Sequence, residues 1–424
     1  MAMQIMLVGF IIFLAHLFAT LFDRKNIPDV LPLVLLGLVL GPVTRLVTPE
    51  YFGGVGGVLT TVALIVILFQ SGLELNLANL LKSLASGMKL TVINFIITLL
   101  FVALAAVSLF HITIIEGLVL GSILGGTSSA IVIPLIKKLR LKEESRTILF
   151  LESTFSDVLC IVVTIVLLQA IKYHSLSPGL LCGQIIASFL LAILIGSTAA
   201  FLWSTLLHKV RHLKNGIFLS PAFVFILYGV AEFLGYSGAI AALAFGVTLG
   251  NIYDLNIPVF KGLILFKKVK FNEVENIFFS EIVFLLKTFF FVYIGLSVKI
   301  NSLFIIYGSL VITLLIFFLR IPVTFLAMQK VVKRFDISII SIMVPKGLAA
   351  AVLASLPVQA GIQYGALIQE IVFSIIIFSI IITSILIFLI ERNLLRHFYA
   401  VVFSGYAQED VAVIITADQE RKIS

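Results

Sequence analysis

The chain has 424 residues, of which 61% are hydrophobic and only 12% charged, with a mean hydropathy of +1.21, two cysteines and a net charge of +8. Soluble proteins carry about twice that charge density. These figures exclude a soluble enzyme, a disulfide-built secreted module and a nucleic-acid-binding domain, and they describe an all-α polytopic membrane protein.

Breaking the chain at its charge clusters predicts about thirteen spans, near 4–22, 29–46, 55–73, 87–109, 115–136, 146–170, 181–207, 217–234, 237–252, 278–298, 303–329, 336–358 and 362–390. Each is long enough, at 1.5 Å per residue, to cross a hydrocarbon layer about 30 Å thick or to lie deep within it. The first run has no basic leader and no small-residue cleavage site, so it is expected to stay as a span. The second carries Gly37-Leu-Val-Leu-Gly41, which returns in the ninth as Gly246-Val-Thr-Leu-Gly250. The third ends in Gly72-Leu-Glu-Leu-Asn76, and the tenth in Gly295-Leu-Ser-Val-Lys-Ile-Asn301. Gly72 and Gly295 are 223 residues apart, as are Pro134 and Pro357. Corresponding spans are seven apart, an odd number, so the pattern predicts two inverted six-helix repeats, a common plan among secondary transporters.

The fifth span holds Gly125-Gly126-Thr127-Ser128-Ser129 in its middle, and the twelfth holds Pro345-Lys346-Gly347. Helix breakers at bilayer depth free backbone groups that lipid cannot satisfy, so both helices are expected to be discontinuous and to face protein or a watery cavity. Lys346 is placed to neutralise the C-terminal dipole ends of such half-helices. The sixth span reads Glu152-Ser153-Thr154-Phe155-Ser156-Asp157. Asp157 falls near the bilayer centre, where a carboxylate costs on the order of 3 kcal/mol and needs a partner, a cation or a proton. Ser153, one turn earlier, shares its helix face, and Ser156 sits beside it. A carboxylate with hydroxyls and free carbonyls is a hard-oxygen set suited to Na⁺ or Li⁺, and one carboxylate that takes either a cation or a proton is sufficient for antiport. Glu152 lies about 140° around the helix from Asp157, and Arg320 in the eleventh span is its natural bidentate counter-ion.

Of the 29 basic residues, twenty-three sort to one side, among them Lys137, Lys138, Arg140, Lys142 and Arg146, against Arg45, Lys172 and Lys299 on the other. Lys287, Arg320 and Lys346 stay within spans. The positive-inside rule makes the rich side cytoplasmic, with the N-terminus outside and the C-terminus inside, and that charge meets anionic membrane lipid. Cys160 and Cys182 show no metal or disulfide spacing. His208 and His212 are one turn apart in a basic loop. Glu74, Glu232 and Glu370 fall near span ends, and Lys287 has Glu281 as a candidate mate. Residues 393–424 read as a short cytoplasmic tail.

Ile27-Pro28 to Gly41-Pro42, Phe69 to Glu74, Gly126-Thr127-Ser128-Ser129, Glu152-Ser153-x-Phe-Ser156-Asp157, Phe291 to Gly295, Arg320 and Pro345-Lys346-Gly347 together resemble the monovalent cation:proton antiporter superfamily, the sodium/proton exchangers. The resemblance implies a homodimer in the plasma membrane, with a transmembrane antiporter domain over 1–392. Within it a moving core (near 55–170 and 278–390) would work against a dimerisation scaffold (near 4–46 and 181–252) by an elevator-like motion, with no cofactor. It implies that Asp157 is the ion-and-proton carboxylate, Ser153 and the Thr127 carbonyl its neighbouring Na⁺ ligands, and Glu152 with Arg320 the core ion pair. Ser156 stands where most electroneutral relatives have Asn and electrogenic ones a second Asp, so one titrating carboxylate predicts one-for-one exchange. Ser128 replaces an Asp found in some branches and is more like the potassium-efflux branch, so K⁺/H⁺ exchange is the nearest alternative. A Na⁺-coupled solute symporter would share the repeat and the breaks but should show a larger polar pocket and respond to an organic solute, and a channel would show conductance without counter-transport.

Overall fold

The computed structural model describes residues 2–23, 30–47, 55–75, 77–173, 178–210, 219–252, 273–297, 302–328, 332–392 and 394–406. Among the described residues the regular structure is helical throughout. The chain runs through α1 (Ala2–Asp23), α2 (Val30–Leu38, continuing as a π-helical turn at Val39–Val43), α3 (Val55–Glu74), α4 (Leu77–Phe110), α5 (Ile114–Leu124), α6 (Ser129–Lys138) and α7 (Glu143–Tyr173). It continues through α8 (Pro178–Val210), α9 (Leu219–Phe233), α10 (Gly238–Gly250), α11 (Glu273–Leu296) and α12 (Leu303–Met328). The last elements are α13 (Arg334–Ile342), α14 (Leu348–Leu353), α15 (Leu356–Gln359), α16 (Gly365–Glu391) and α17 (Arg396–Val402). Among the described residues, six stretches are long and apolar enough to cross a membrane: Leu80–Phe110, Ile114–Lys138, Glu143–Leu168, Ile186–Leu206, Leu303–Met328 and Gly365–Glu391. Shorter apolar helices precede the first of them, at Gly9–Phe18, Leu31–Val43 and Thr61–Gln70, and fall between the later ones, at Leu219–Phe233, Gly238–Gly250 and Ala349–Gln359.

Local signals set several helix ends. Thr113 and Glu116 form a reciprocal capping box at the start of α5, which satisfies two otherwise unpaired amides. Glu232, expected at a span end, accepts from the Gly238 amide at 2.7 Å and so ties the end of α9 to the start of α10. Asn251 ends α10 and holds the α3–α4 turn, accepting from the Leu77 amide and donating to the Leu75 carbonyl. The side chains of Glu74, Lys172, Cys182, His208, His212, Lys287 and Lys299 lie outside the described residues. Cys160 is a buried free thiol.

Two sets of helices pack mainly among themselves. One joins α4 to α7 with α12, α13, α14 and α16, and the other joins α2, α3 and α11 with α8, α9 and α10. The second set is closed by glycines. A Cβ on Gly246 of α10 would lie 2.5 Å from the Phe69 carbonyl oxygen and 3.1 Å from the Gly72 Cα of α3, and one on Gly41 of α2 would lie 2.9 Å from the Leu296 Cα of α11. Thus each Gly-x-x-x-Gly segment lets a backbone approach the helix that bears the other repeated glycine. Gly246→Ala is expected to destabilise the protein by about 1–3 kcal/mol through overpacking, less the gain of about 1 kcal/mol in helix propensity. Gly229→Ala, where a Cβ meets nothing within 4 Å, is expected to be neutral or stabilising. Thermal unfolding of the two variants in detergent compares them directly, and equal midpoints would remove the packing argument.

Within the segment expected as a tail, residues 394–406 pack against the helices before them. Arg334, at the start of α13, donates to the carbonyls of Ser404 and Tyr406 at 3.2 and 3.3 Å. Phe403 is fully buried, and its ring stacks 5.7 Å from that of Phe325 on α12.

Candidate functional site

The two breaks predicted from glycine and proline are present, and they meet. The backbone leaves helix between Leu124 and Ser129 and again between Ile342 and Leu348. The Ser128 amide donates to the Pro345 carbonyl at 2.8 Å, and Lys346 Nζ donates to the Gly126 carbonyl at 2.7 Å. Helix breaks in an apolar interior leave polar backbone groups that each cost several kcal/mol if unpaired, and side chains of neighbouring helices meet several of them. The Gly125 carbonyl accepts from Asn94 Nδ2 of α4 at 3.3 Å, and the Thr127 amide donates to Ser156 Oγ of α7 at 3.0 Å. In the second break the Lys346 amide donates to Ser379 Oγ of α16 at 2.9 Å. The Ile342 carbonyl takes a long bond from Thr383 Oγ1, and the Ile340 carbonyl accepts from Arg320 Nε at 3.1 Å. Side chains of α4, α7, α12 and α16 therefore meet backbone groups in and beside both breaks.

Asp157 is 7% exposed on α7, directly against the N-terminus of α6. Its Oδ2 accepts from Ser129 Oγ at 2.7 Å, and the Ser129 backbone amide also faces the carboxylate. A negative group at a helix N-terminus and the Lys346 ammonium at the carbonyl end of α5 both lie with the half-helix dipoles rather than against them. Asp157 makes no ion pair among the described residues. Arg320 is committed elsewhere: it grips Glu152 through Nη1, and through Nη2 at 2.6 Å, with both side chains buried. Thr127 Oγ1 is buried beside the break without a hydrogen-bond partner among the described residues.

The structure thus brings Thr127, Ser128, Ser156 and Asp157 together with Lys346, and sets Glu152 and Arg320 apart as a pair. Ser153 is fully buried, but its hydroxyl donates to the Phe150 carbonyl at 3.0 Å on its own helix, and the hydroxyl that reaches Asp157 is that of Ser129. Ser128 Oγ lies in the crossing itself: a Cβ on Gly347 would come within 2.6 Å of the Ser128 Cβ. Sequence assigned no role to Ser129, Asn94, Ser379 or Thr383. Asn94 had a signal, a lone amide side chain within an apolar span.

One buried carboxylate, free of any basic partner among the described residues, stands where two unwound helices cross. A family model for the transmembrane sodium/hydrogen exchanger matches residues 10–392, nearly the whole apolar part of the chain. The chain belongs to the sodium/hydrogen exchanger family. It is similar to the Na⁺/H⁺ antiporter 1 of Methanocaldococcus jannaschii, 26% identical over 318 residues that cover 71% of this chain and 70% of that one. It is also 26% identical to the K⁺/H⁺ antiporter NhaP2 of Shewanella oneidensis over 54% of this chain, which spans 40% of that protein. The structure of the M. jannaschii sodium proton antiporter MjNhaP1 at pH 8 superposes with a TM-score of 0.69 at 23% identity, covering 94% of this chain and 98% of the other, which establishes a shared fold. This exchanger is therefore a multi-pass membrane protein that carries out cation/proton antiport. Among the described residues it offers no cluster of three His, Cys, Asp or Glu side chains for a transition metal.

Proposed function

We propose that this exchanger moves Na⁺, and secondarily Li⁺, against H⁺ one-for-one across the plasma membrane, with Asp157 as the shared carrier. The observation that carries the proposal is the carboxylate itself: buried, held by the Ser129 hydroxyl and free of basic partners among the described residues. When ionised it has an N-terminal dipole and a hydroxyl donor before it, and a cation or a proton neutralises it equally. The unpartnered Thr127 hydroxyl, the Thr127 carbonyl, Ser156 and Ser153 are the proposed further ligands. Lys346 holds the crossing and offsets the dipole at Gly126, with Ser128 packed against it. Glu152 with Arg320 keeps α7 and α12 in register around the site.

Carriage by an elevator-like motion of a core against a dimerising scaffold is part of the same proposal, as are thirteen spans in two inverted repeats, a homodimer and a cytoplasmic C-terminus. The paired glycine contacts of α2 with α11 and α3 with α10 support the repeat, because corresponding segments meet each other's partners. Expected with the core, α3 and α11 pack their glycine faces on scaffold helices and are grouped with the scaffold in this proposal.

K⁺/H⁺ exchange is the second reading, favoured by Ser128 at the break and by the likeness to the Shewanella K⁺/H⁺ antiporter. Proteoliposomes loaded with a pH dye and given Na⁺, Li⁺ or K⁺ gradients separate the two. The expected result is proton movement driven by Na⁺ and unaffected by a clamped membrane voltage. A response to K⁺ alone transfers the assignment, and a rate that follows voltage ends the one-for-one claim.

A further inference from the structure

Ser156 and Ser379 treat the two breaks alike. On α7, Ser156 Oγ donates to the Ser153 carbonyl three residues earlier at 3.2 Å and accepts from the Thr127 amide. On α16, Ser379 Oγ donates to the Ile376 carbonyl three residues earlier at 2.8 Å and accepts from the Lys346 amide. Ser379 follows Ser156 by 223 residues, the interval between Gly72 and Gly295. One turn on, Cys160 and Thr383 repeat the interval and again face the breaks. Thr383 donates to the Ile342 carbonyl, and the Cys160 sulfur lies 2.8 Å from where a Cβ on Gly126 would be. At the place of Asp157 the second copy has the buried Ile380. The second copy thus keeps the pin and lacks the carrier.

From this correspondence we infer that Ser379 is a positioning residue for exchange: its hydroxyl fixes the Lys346 backbone so that the ammonium reaches the Gly126 carbonyl. Ser379 bonds neither Asp157 nor Thr127. Its influence runs through Lys346 to Gly126, whose neighbour Thr127 is held from the other side by Ser156. A back-bonded serine has its proton committed to its own helix, so what it offers a neighbour is a lone pair, and an amide donor is what can use it. Without that acceptor the Lys346 amide is a buried donor with nothing to pair with.

The inference rests on the exchange reading above, and the test separates the two. Full-length Ser379→Ala, Ser379→Val and Ser379→Thr are assayed in proteoliposomes with whichever of Na⁺ or K⁺ the unmodified protein exchanges. Ala and Val are expected to raise the apparent KM for the cation roughly tenfold while the maximal rate stays within about twofold, and Thr is expected to match the unmodified protein. Val and Thr have the same shape, so they separate the hydroxyl from side-chain volume even where Ala does not assemble. An unchanged KM in Val, a Val that matches Thr, or a fall in maximal rate alone overturns the assignment of Ser379 and leaves the exchange reading standing. An unmodified protein that exchanges neither cation for protons overturns both.

Discussion

Asp157→Asn stops cation-driven proton movement while the protein remains folded. The amide has nearly the shape of the carboxylate, and its oxygen still accepts from Ser129 Oγ, so the meeting of α6 and α7 is kept. What it loses is the group that, in the proposed mechanism, a proton and a cation contest. A cation entering this interior without a counter-charge meets a penalty of about 3 kcal/mol or more, and each 1.4 kcal/mol is a factor of ten, so exchange should drop at least about a hundredfold. The measurement is dye-reported pH change in proteoliposomes, with thermal unfolding in detergent as the check on folding. Exchange at the unmodified rate in a folded Asp157→Asn variant would falsify the shared-carrier mechanism.

Breaking the buried Glu152–Arg320 pair should act on stability first. Glu152→Gln leaves the Arg320 guanidinium fully buried with its charge uncompensated, and removal of one partner from such a pair typically costs about 3–5 kcal/mol. Arg320→Lys is not a conservative change, because Nε, Nη1 and Nη2 are all used, on the Ile340 carbonyl and both Glu152 oxygens, and a single ammonium cannot span that set. Both single variants are expected to give little folded protein and a strongly lowered unfolding midpoint. Changing both partners together, Glu152→Gln with Arg320→Met, should recover much of the loss, since no bare charge remains. Single variants as stable as the unmodified protein would show that water reaches the pair.

Asp157, Glu152, Arg320 and Lys346 were legible in the sequence because a charge in an apolar run is expensive and therefore conspicuous. The breaks were legible through Gly125-Gly126 and Pro345-Lys346-Gly347 for the same reason in the backbone. Hydroxyl choice was not. Helical spacing puts Ser153 on the face of Asp157, but serines in apolar helices often turn back to a carbonyl three or four residues earlier, and Ser153 does so while Ser129 takes the carboxylate. That choice depends on where α6 begins in space, which local periodicity does not contain. Asn94, Ser379 and Thr383 serve carbonyls and amides on other helices, so their partners exist only after packing. The contacts of α3 with α10 and of α2 with α11 were hidden likewise, because a glycine states that something comes close but not which helix does.

The bond from Arg334 to the Ser404 and Tyr406 carbonyls has a practical side. Those carbonyls belong to the same short stretch that buries Phe403, and Arg334 opens the half-helix that runs to the second break. A fluorescent reporter or immobilising handle fused upstream of Tyr406 would tug on the crossing itself. Attached beyond it, with a flexible spacer, the same handle need not displace the Ser404 and Tyr406 contacts.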